Sequence, residues 1–376
     1  MSGRSERSAE NTRHARERRS AALTLLMICT IAGAVAQGQE RGDRNRQDRL
    51  EDARLREGAL LVRLADTAMN GRAESDFAIE WRNDFFKAQA GTFVPFTVTV
   101  ERAKLSAANA LMYVRAVRRD AAPPGQRRAR QVRYPFDLIF AVNLAAPGEG
   151  PVRITRGFAV PAGEYDVYVA LRERASDPPS SEPRLKAAVL KQPLSVPDFW
   201  DGGLTTSSVI LADRIDALPG TPADDVLERP YIIGENEIHP AADSSFRKDR
   251  ELIVVFLIYN ASVSADRNFD IQVDYHLFRT VPPGTAPVAP ASRDAEGDHP
   301  AARIGERYMT HTNPQRFKPS LMGAHFDPAA GHPMMAGQGI LLSSFQEGDY
   351  RLGITVTDLL SRKSLSRDVT FRVVGS

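Results

Sequence analysis

Gly163-Glu164-Tyr165-Asp166-Val167-Tyr168-Val169 and Gly348-Asp349-Tyr350-Arg351-Leu352-Gly353-Ile354 carry one pattern twice, 185 residues apart. In each stretch a glycine and an acid precede a tyrosine that opens an alternating run. Tyr165, Val167, Val169 and Leu171 fall on one side of an extended chain; so do Tyr350, Leu352, Ile354 and Val356. Period-2 alternation marks a half-buried strand, and the glycine-acid pair marks the turn that feeds it.

Working outward, further alternating runs appear at Phe77-Ile79-Trp81, Phe93 to Val100, Leu111 to Val117, Phe136 to Val142, Val152 to Ile154, Phe158 to Val160 and Leu185 to Leu190. A second set comprises Tyr231 to Ile233, Leu252 to Ile258, Ile271 to Leu277 and Val369 to Val373. Leu252 to Ile258 is apolar on both faces, as a central strand is. Turn residues separate these runs at the spacing of an all-β sandwich. A tyrosine opening a late strand resembles the corner tyrosine of immunoglobulin-like sandwiches. The expected fold is all-β: two tandem Ig-like or fibronectin-like sandwiches, preceded by a signal peptide and a short charged helical segment.

The two sets overlay with Val98 on Phe256, Tyr113 on Tyr275 and Tyr165 on Tyr350. The longer spacing in the second set is taken up by Thr280 to Arg303, a Pro/Ala/Gly-rich stretch without apolar periodicity that reads as a long surface loop. Apolar content falls near Pro219-Gly220-Thr221-Pro222, which sets the expected boundary. The resulting division is a signal peptide or N-terminal anchor at 1–36, a charged spacer and helix at 37–74, a first sandwich at 75–220 and a second at 226–376.

The N-terminus reads as an export signal. Arg4, Arg7, Arg13, Arg16, Arg18 and Arg19 precede an apolar run from Ala21, and Ala34-Val35-Ala36 supplies a small-residue cleavage pattern before Gln37. The run Ala21 to Ala36 is short for a spanning helix, though an uncleaved anchor at 21–36 is the alternative. Either outcome places the remainder outside the cytoplasm, in the periplasm or beyond. Cys29, the single cysteine, lies inside this run. Ile28 ahead of it is bulkier than a lipid-modification site takes. Cleavage leaves a chain with no thiol, and hence no disulfide or cysteine-held metal. It also removes the six arginines with Glu6, Glu10 and Glu17, leaving 43 basic against 44 acidic residues. A nearly neutral chain has no general electrostatic reason to seek nucleic acid. From Gly38 to Glu57 charges of both signs alternate. Leu50, Leu61, Leu64, Ala65 and Ala68 then give a sparse helical stripe that Asn70-Gly71 stops.

Motifs for chemistry are sparse. No Gly-x-Ser-x-Gly elbow or phosphate-binding glycine loop occurs, and Asp224-Asp225 sits in a linker. Six histidines follow residue 238, but their spacing matches no ligand motif; His325, His332 and Asp327 are the nearest to a set. Neither catalytic residues, a metal nor a cofactor is expected. The densest binding feature is the basic loop with Arg118, Arg119, Arg127, Arg128, Arg130 and Arg133, suited to an anionic glycan, headgroup or acidic protein face. Trp81 and Trp200 are candidates for a sugar-stacking platform, although Trp81 fits a core and Phe199-Trp200 fits a plug at a sandwich end. Asn260-Ala261-Ser262 has the glycosylation pattern, and Arg41-Gly42-Asp43 the adhesion tripeptide.

Arg250 to Asn260, Gly348 to Asp358 and the tail Ser364 to Val373, together with Ser207 to Asp213 upstream, resemble the C-terminal β-sandwich of bacterial envelope proteins that carry a GWxTD domain, and of related secreted proteins. The likeness covers 205–376 and implies a sandwich without catalytic residues. The Gly-Trp-x-Thr-Asp signature does not occur in this chain. The expectation that follows is a non-enzymatic exported envelope protein whose modules engage a protein or glycan, with carbohydrate binding as one alternative and a zinc-dependent hydrolase as another. Membrane contact is expected only through an uncleaved N-terminal segment.

Overall fold

The structure, a computed structural model, describes residues 56–72, 74–119, 134–145, 150–174, 185–220, 226–281, 302–323, 326–328 and 331–375. The expected export signal, most of the spacer and the Thr280–Arg303 loop lie largely outside these residues. The chain divides at Arg63 into two units. In the first, residues 56–63 are helical. In the second, the helix runs on to 69, and Asn70 and Gly71 end it with Gly71 at φ 71°. Glycine takes that left-handed position without the Cβ clash that other residues meet. Leu61 and Ala65 of the expected stripe are fully buried.

The remainder is all-β. The first sandwich contains β1 (Glu80–Asn83), β2 (Phe86–Ala88), β3 (Gly91–Val100), β4 (Asn109–Arg118), β5 (Phe136–Asn143), β6 (Val152–Val160), β7 (Gly163–Glu173) and β8 (Ala187–Val196). One sheet pairs β3 with β1 and β2 on one side and β6 on the other; its partner runs β5-β4-β7-β8. Val94, Phe96, Val98, Met112, Val114, Phe158, Tyr165 and Val167 fill the space between them and are essentially inaccessible.

The second sandwich contains β9 (Thr205–Thr206), β10 (Ile210–Ala217), β11 (Ile232–Ile233), β12 (Asn236–Pro240), β13 (Ser245–Arg247), β14 (Glu251–Tyr259), β15 (Ile271–Thr280), β16 (Glu306–His311), β17 (Gln315–Phe317), β18 (Met334–Leu341), β19 (Gly348–Asp358) and β20 (Lys363–Val374). One sheet runs β11-β12-β10-β14-β18 and the other β13-β20-β19-β15-β16. The topology is the first module's repeated: β10-β14-β18 stands for β1-β3-β6, and β16-β15-β19-β20 for β5-β4-β7-β8.

Two expectations are corrected. The boundary near 220 is displaced, because Thr205–Thr206 and Ile210–Ala217 hydrogen-bond to β14 and β12 and so belong to the second sandwich. The overlay of Tyr113 on Tyr275 is out by one residue. Val114 pairs with Val169 and Tyr275 with Ile354, and these partners are equivalent once Tyr165 is set on Tyr350. A one-residue slip reverses the face of every side chain. Tyr275 accordingly sits in the core, whereas Tyr113 lies on the opposite face, where Arg115 Nε donates to its hydroxyl at 2.6 Å.

The two corner tyrosines match. Tyr165 Oη donates to the Pro161 carbonyl at 2.9 Å and Tyr350 Oη to the Gln346 carbonyl at 2.7 Å, four residues back in each case. Gly163 and Gly348 adopt φ of 141° and 143°, open in practice only to glycine. Opposite each tyrosine stands an arginine, Arg118 on β4 and Arg279 on β15. The arginine packs over the preceding glycine: a Cβ on Gly163 would lie 3.1 Å from Arg118 Nη2, and one on Gly348 3.5 Å from Arg279 Nε.

Candidate functional site

The apolar outer face of β14 explains why this strand reads as hydrophobic on both sides. Leu252, Val254, Phe256 and Ile258 point into the second core, while Val255, Leu257 and Tyr259 point away from it. Those outward residues meet Phe86 and Phe93 of the first sandwich, with Phe199, Ile210 and Tyr231, in a third buried cluster. This is a joint between modules, and its apolar burial is what holds the pair together. The Phe86 ring meets the Tyr231 ring edge-on at 6.2 Å.

Polar bonds fix the orientation of that joint. Phe85 N donates to Ser208 Oγ at 2.9 Å, and Ser208 N returns a bond to the Phe85 carbonyl at 3.0 Å. Arg82 Nη1 donates to the Ala241 carbonyl at 2.9 Å, and Gly157 N to the Leu227 carbonyl at 2.8 Å. Asp84, only 6% exposed, accepts from Tyr231 Oη at 2.7 Å. Burial pushes its carboxyl above the ordinary range, against the bond from Tyr231 and the nearby Arg82 charge. The Tyr231 phenol is pushed up by burial and by the Asp84 charge.

A cleft of about 520 Å³ opens where the modules meet. Asp84, Phe85 and Phe199 line one side, and Thr206, Ser207, Ser208 and Arg367 the other. Arg367 Nε donates to Thr206 Oγ1 at 3.1 Å. Its lining thus sets hydroxyls beside one cation, Arg367, and the carboxyls of Asp84 and Asp368, a surface of hydrogen-bonding groups.

Phe199 and Trp200 divide their roles. Phe199 is buried in the joint against Tyr259 at 5.4 Å, whereas Trp200 is 52% exposed. Lys87 Nζ stands 4.2 Å over the Trp200 ring and donates to Asn260 Oδ1 at 2.7 Å. Burial lowers the Lys87 pKa, partly offset by Asp201. Trp81, by contrast, stacks on Phe96 at 4.5 Å and packs against the first core. The Asn260 amide donates to the carbonyls of Phe199 and Gly203, so the residue of the glycosylation pattern is spent on the joint.

Of the basic loop, Arg118 and Arg119 are described; Arg127, Arg128, Arg130 and Arg133 lie outside the described residues. Arg118 packs over Gly163 as above, and Arg119 pairs with Asp166 at 2.9 Å and Glu164 at 3.5 Å. His325 likewise lies outside the described residues, as do Asp224-Asp225 and Arg41-Gly42-Asp43. His332 Nδ1 accepts from Asp327 N at 3.0 Å, and Asp327 pairs with Arg267. Among the described residues, no three His, Cys, Asp or Glu side chains converge as a metal-binding group, and no helix is long and apolar enough to cross a membrane. Sequence reading missed the joint and its cleft; the double-faced apolar run 252–258 was the available signal.

No family model and no curated protein matches this chain. Among solved structures it is similar to Salmonella alpha-2-macroglobulin reacted with methylamine, at 13% identity over 80% of this chain and 17% of that one, with a TM-score of 0.20. It is similar to Escherichia coli alpha-2-macroglobulin activated by porcine elastase at 10% identity over 80% and 35%, TM-score 0.20. Red sea bream transglutaminase gives 10% identity over 82% and 33%, TM-score 0.18. The chain spans about a third or less of the length of these proteins. Likeness at this level assigns no function; the sandwich assignment stands on the strand pairings.

Proposed function

We propose that this protein is an exported, non-enzymatic component of a bacterial envelope that presents its inter-module cleft to a protein or glycan partner. The observation that carries the reading is the joint. A buried apolar cluster with reciprocal Phe85–Ser208 bonds holds two sandwiches at one spacing, which is what a recognition surface spanning both modules requires. Export rests on the basic, apolar and Ala-Val-Ala pattern of residues 1–36, and the envelope setting on the resemblance over 205–376.

The test has two arms. Fractionation with mass spectrometry of the native N-terminus is expected to find the chain outside the cytoplasm, beginning at Gln37; recovery from the cytosol with residues 1–36 intact overturns export. A photo-cross-linking residue at Thr370, which lines the cleft, is expected to trap a defined partner in the native host, and Arg367→Glu to abolish that adduct. A turnover that scales with the pure protein overturns the non-enzymatic reading.

A second reading, sugar binding, is favoured by Trp200, whose indole is 52% exposed and whose backbone N–H donates to Asp198 Oδ1 at 2.8 Å. Oligosaccharides that stack there change indole fluorescence, and Trp200→Phe removes the change while Trp81 remains as an internal reference.

A further inference from the structure

On the outward face of the second sandwich, β15 and β16 place His276 directly opposite His311. The pairing shifts between Leu277 and Phe278: Leu277 faces Thr310 and Phe278 faces Tyr308, leaving Met309 as a bulged residue. Residues three apart on a regular strand point to opposite faces; one extra residue brings them to the same face. The bulge therefore puts Tyr308 beside His311 rather than behind it. Tyr308 Oη lies 3.1 Å from His311 Nδ1 and 3.5 Å from His276 Nδ1, and the imidazole centroids are 6.1 Å apart.

We propose that His276 Nδ1, His311 Nδ1 and Tyr308 Oη form a binding site for a borderline divalent transition-metal ion, with copper(II) held most tightly and zinc(II) next. The separations are the first argument. Ligand atoms about 2.1 Å from a tetrahedral ion stand roughly 3.4 Å from one another, and both measured Oη–Nδ1 distances fall close to that. The donor set is the second argument. Imidazole suits zinc, copper, nickel and iron, and copper(II) leads the divalent affinity order. Rigidity is the third. The Phe278 ring meets Tyr308 edge-on at 5.5 Å and carries the Arg351 guanidinium at 3.9 Å, so the phenol is held from behind. That guanidinium is bound to Glu306 and Asp368, which offset its charge beside the site.

A phenol that donates to one Nδ1 can accept from the other imidazole when that ring carries its proton on Nδ1. One hydroxyl thus already gathers both imidazoles, and a cation bound there exchanges those hydrogen bonds for coordination. On binding, each imidazole carries its proton on Nε2 and gives its Nδ1 lone pair. The phenol releases its proton to solvent, and water takes the fourth position, which His311 leaves open because it is exposed. This site is separate from the inter-module cleft and independent of the partner-binding reading.

The experiment titrates untagged full-length protein with copper(II) and, separately, zinc(II), by calorimetry, with thermal melts confirming that each variant folds. One ion per chain is expected, with affinity falling at least about tenfold in both His276→Gln and His311→Gln. The copper complex is expected to show a phenolate-to-copper charge-transfer band that Tyr308→Phe removes. If His276→Gln unfolds, the exposed His311→Gln carries the comparison alone. Absence of stoichiometric binding overturns the proposal, as does binding that is undiminished in His311→Gln. A charge-transfer band that persists in Tyr308→Phe overturns the role of the phenol.

Discussion

Tyr231 Oη donates to Asp84 Oδ2 at 2.7 Å, joining one sandwich to the other through a buried acid. A buried carboxyl resists ionisation, so its pKa in the folded protein lies above its unfolded value. Stability from such a group is fully present below the unfolded value and declines as pH rises through the folded one. Denaturant melts of the wild type are therefore expected to lose stability relative to Asp84→Asn as pH climbs above about 4, and then to run parallel. A difference curve that is flat, or slopes the other way, contradicts this. Tyr231→Phe removes this donor, leaving Asp84 to Ser208 and the nearby Arg82 charge, and is expected to cost ~1–3 kcal/mol at neutral pH.

The corner tyrosines offer a paired test, because each module carries one. Tyr165→Phe and Tyr350→Phe remove matching bonds of 2.9 and 2.7 Å. Each is expected to cost about 1 kcal/mol by chemical denaturation, with little difference between the two. Gly163→Ala and Gly348→Ala force a side chain onto φ of 141° and 143° and are expected to cost ~1–3 kcal/mol each. Gly163→Ala suffers more, since its new methyl lies 3.1 Å from Arg118 Nη2.

These paired elements are where the sequence is most legible. Alternation at Tyr165 and Tyr350 fixes β7 and β19, and the apolar runs fix β3, β4, β14 and β15, because their inward faces are unbroken. Tyr231 to Ile233 marks the short strand β11, but β13 and β17 leave little pattern in three residues, and β18 hides behind Gly337 and Gly339. The 152–160 run reads as two strands, interrupted at Thr155 to Gly157, although it forms one continuous strand paired to β3 along its length. The boundary near 220 follows a fall in apolar content, whereas module membership is decided by hydrogen bonding of 210–217 to β14. The histidine pair was equally hidden. His276 and His311 are 35 residues apart, and only strand register and a bulge bring Tyr308 between them.

Arg351 is the buried cation of the second sandwich. Its side chain is 7% exposed, its Nη2 lies 2.6 Å from Glu306 and its Nη1 2.7 Å from Asp368. Removing Arg351 strips Glu306 of this cation while Asp368 keeps Arg303, and losing a partner costs ~3–5 kcal/mol where burial is complete. Arg351→Met is expected near the lower end, because Asp368 remains partly exposed. Adding Glu306→Gln to it is expected to recover more than about 1 kcal/mol in a double-mutant cycle. The Arg351 bond holds the Glu306 carboxyl below its usual range. Its contribution is thus present above the unfolded value and lost as pH falls through the folded one, the reverse of Asp84.

Whether the two sandwiches unfold together depends on the joint. Phe86 projects from the short strand β2 into the third cluster, is 5% exposed and meets Tyr231 edge-on. The buried residues of that cluster belong to neither sandwich core, and Phe85 packs against both it and the first core. Truncating Phe86 should leave both modules intact and weaken only what links them. Phe86→Ala opens a cavity expected to cost ~3–5 kcal/mol of coupling. Calorimetry is expected to show one cooperative transition in the wild type and two in the variant, as a module released from its neighbour melts at its own temperature. A wild type that already melts in two steps means that the joint transmits little free energy. A Phe86→Ala variant that melts in one step at a lower temperature places the residue in a module's own stability instead.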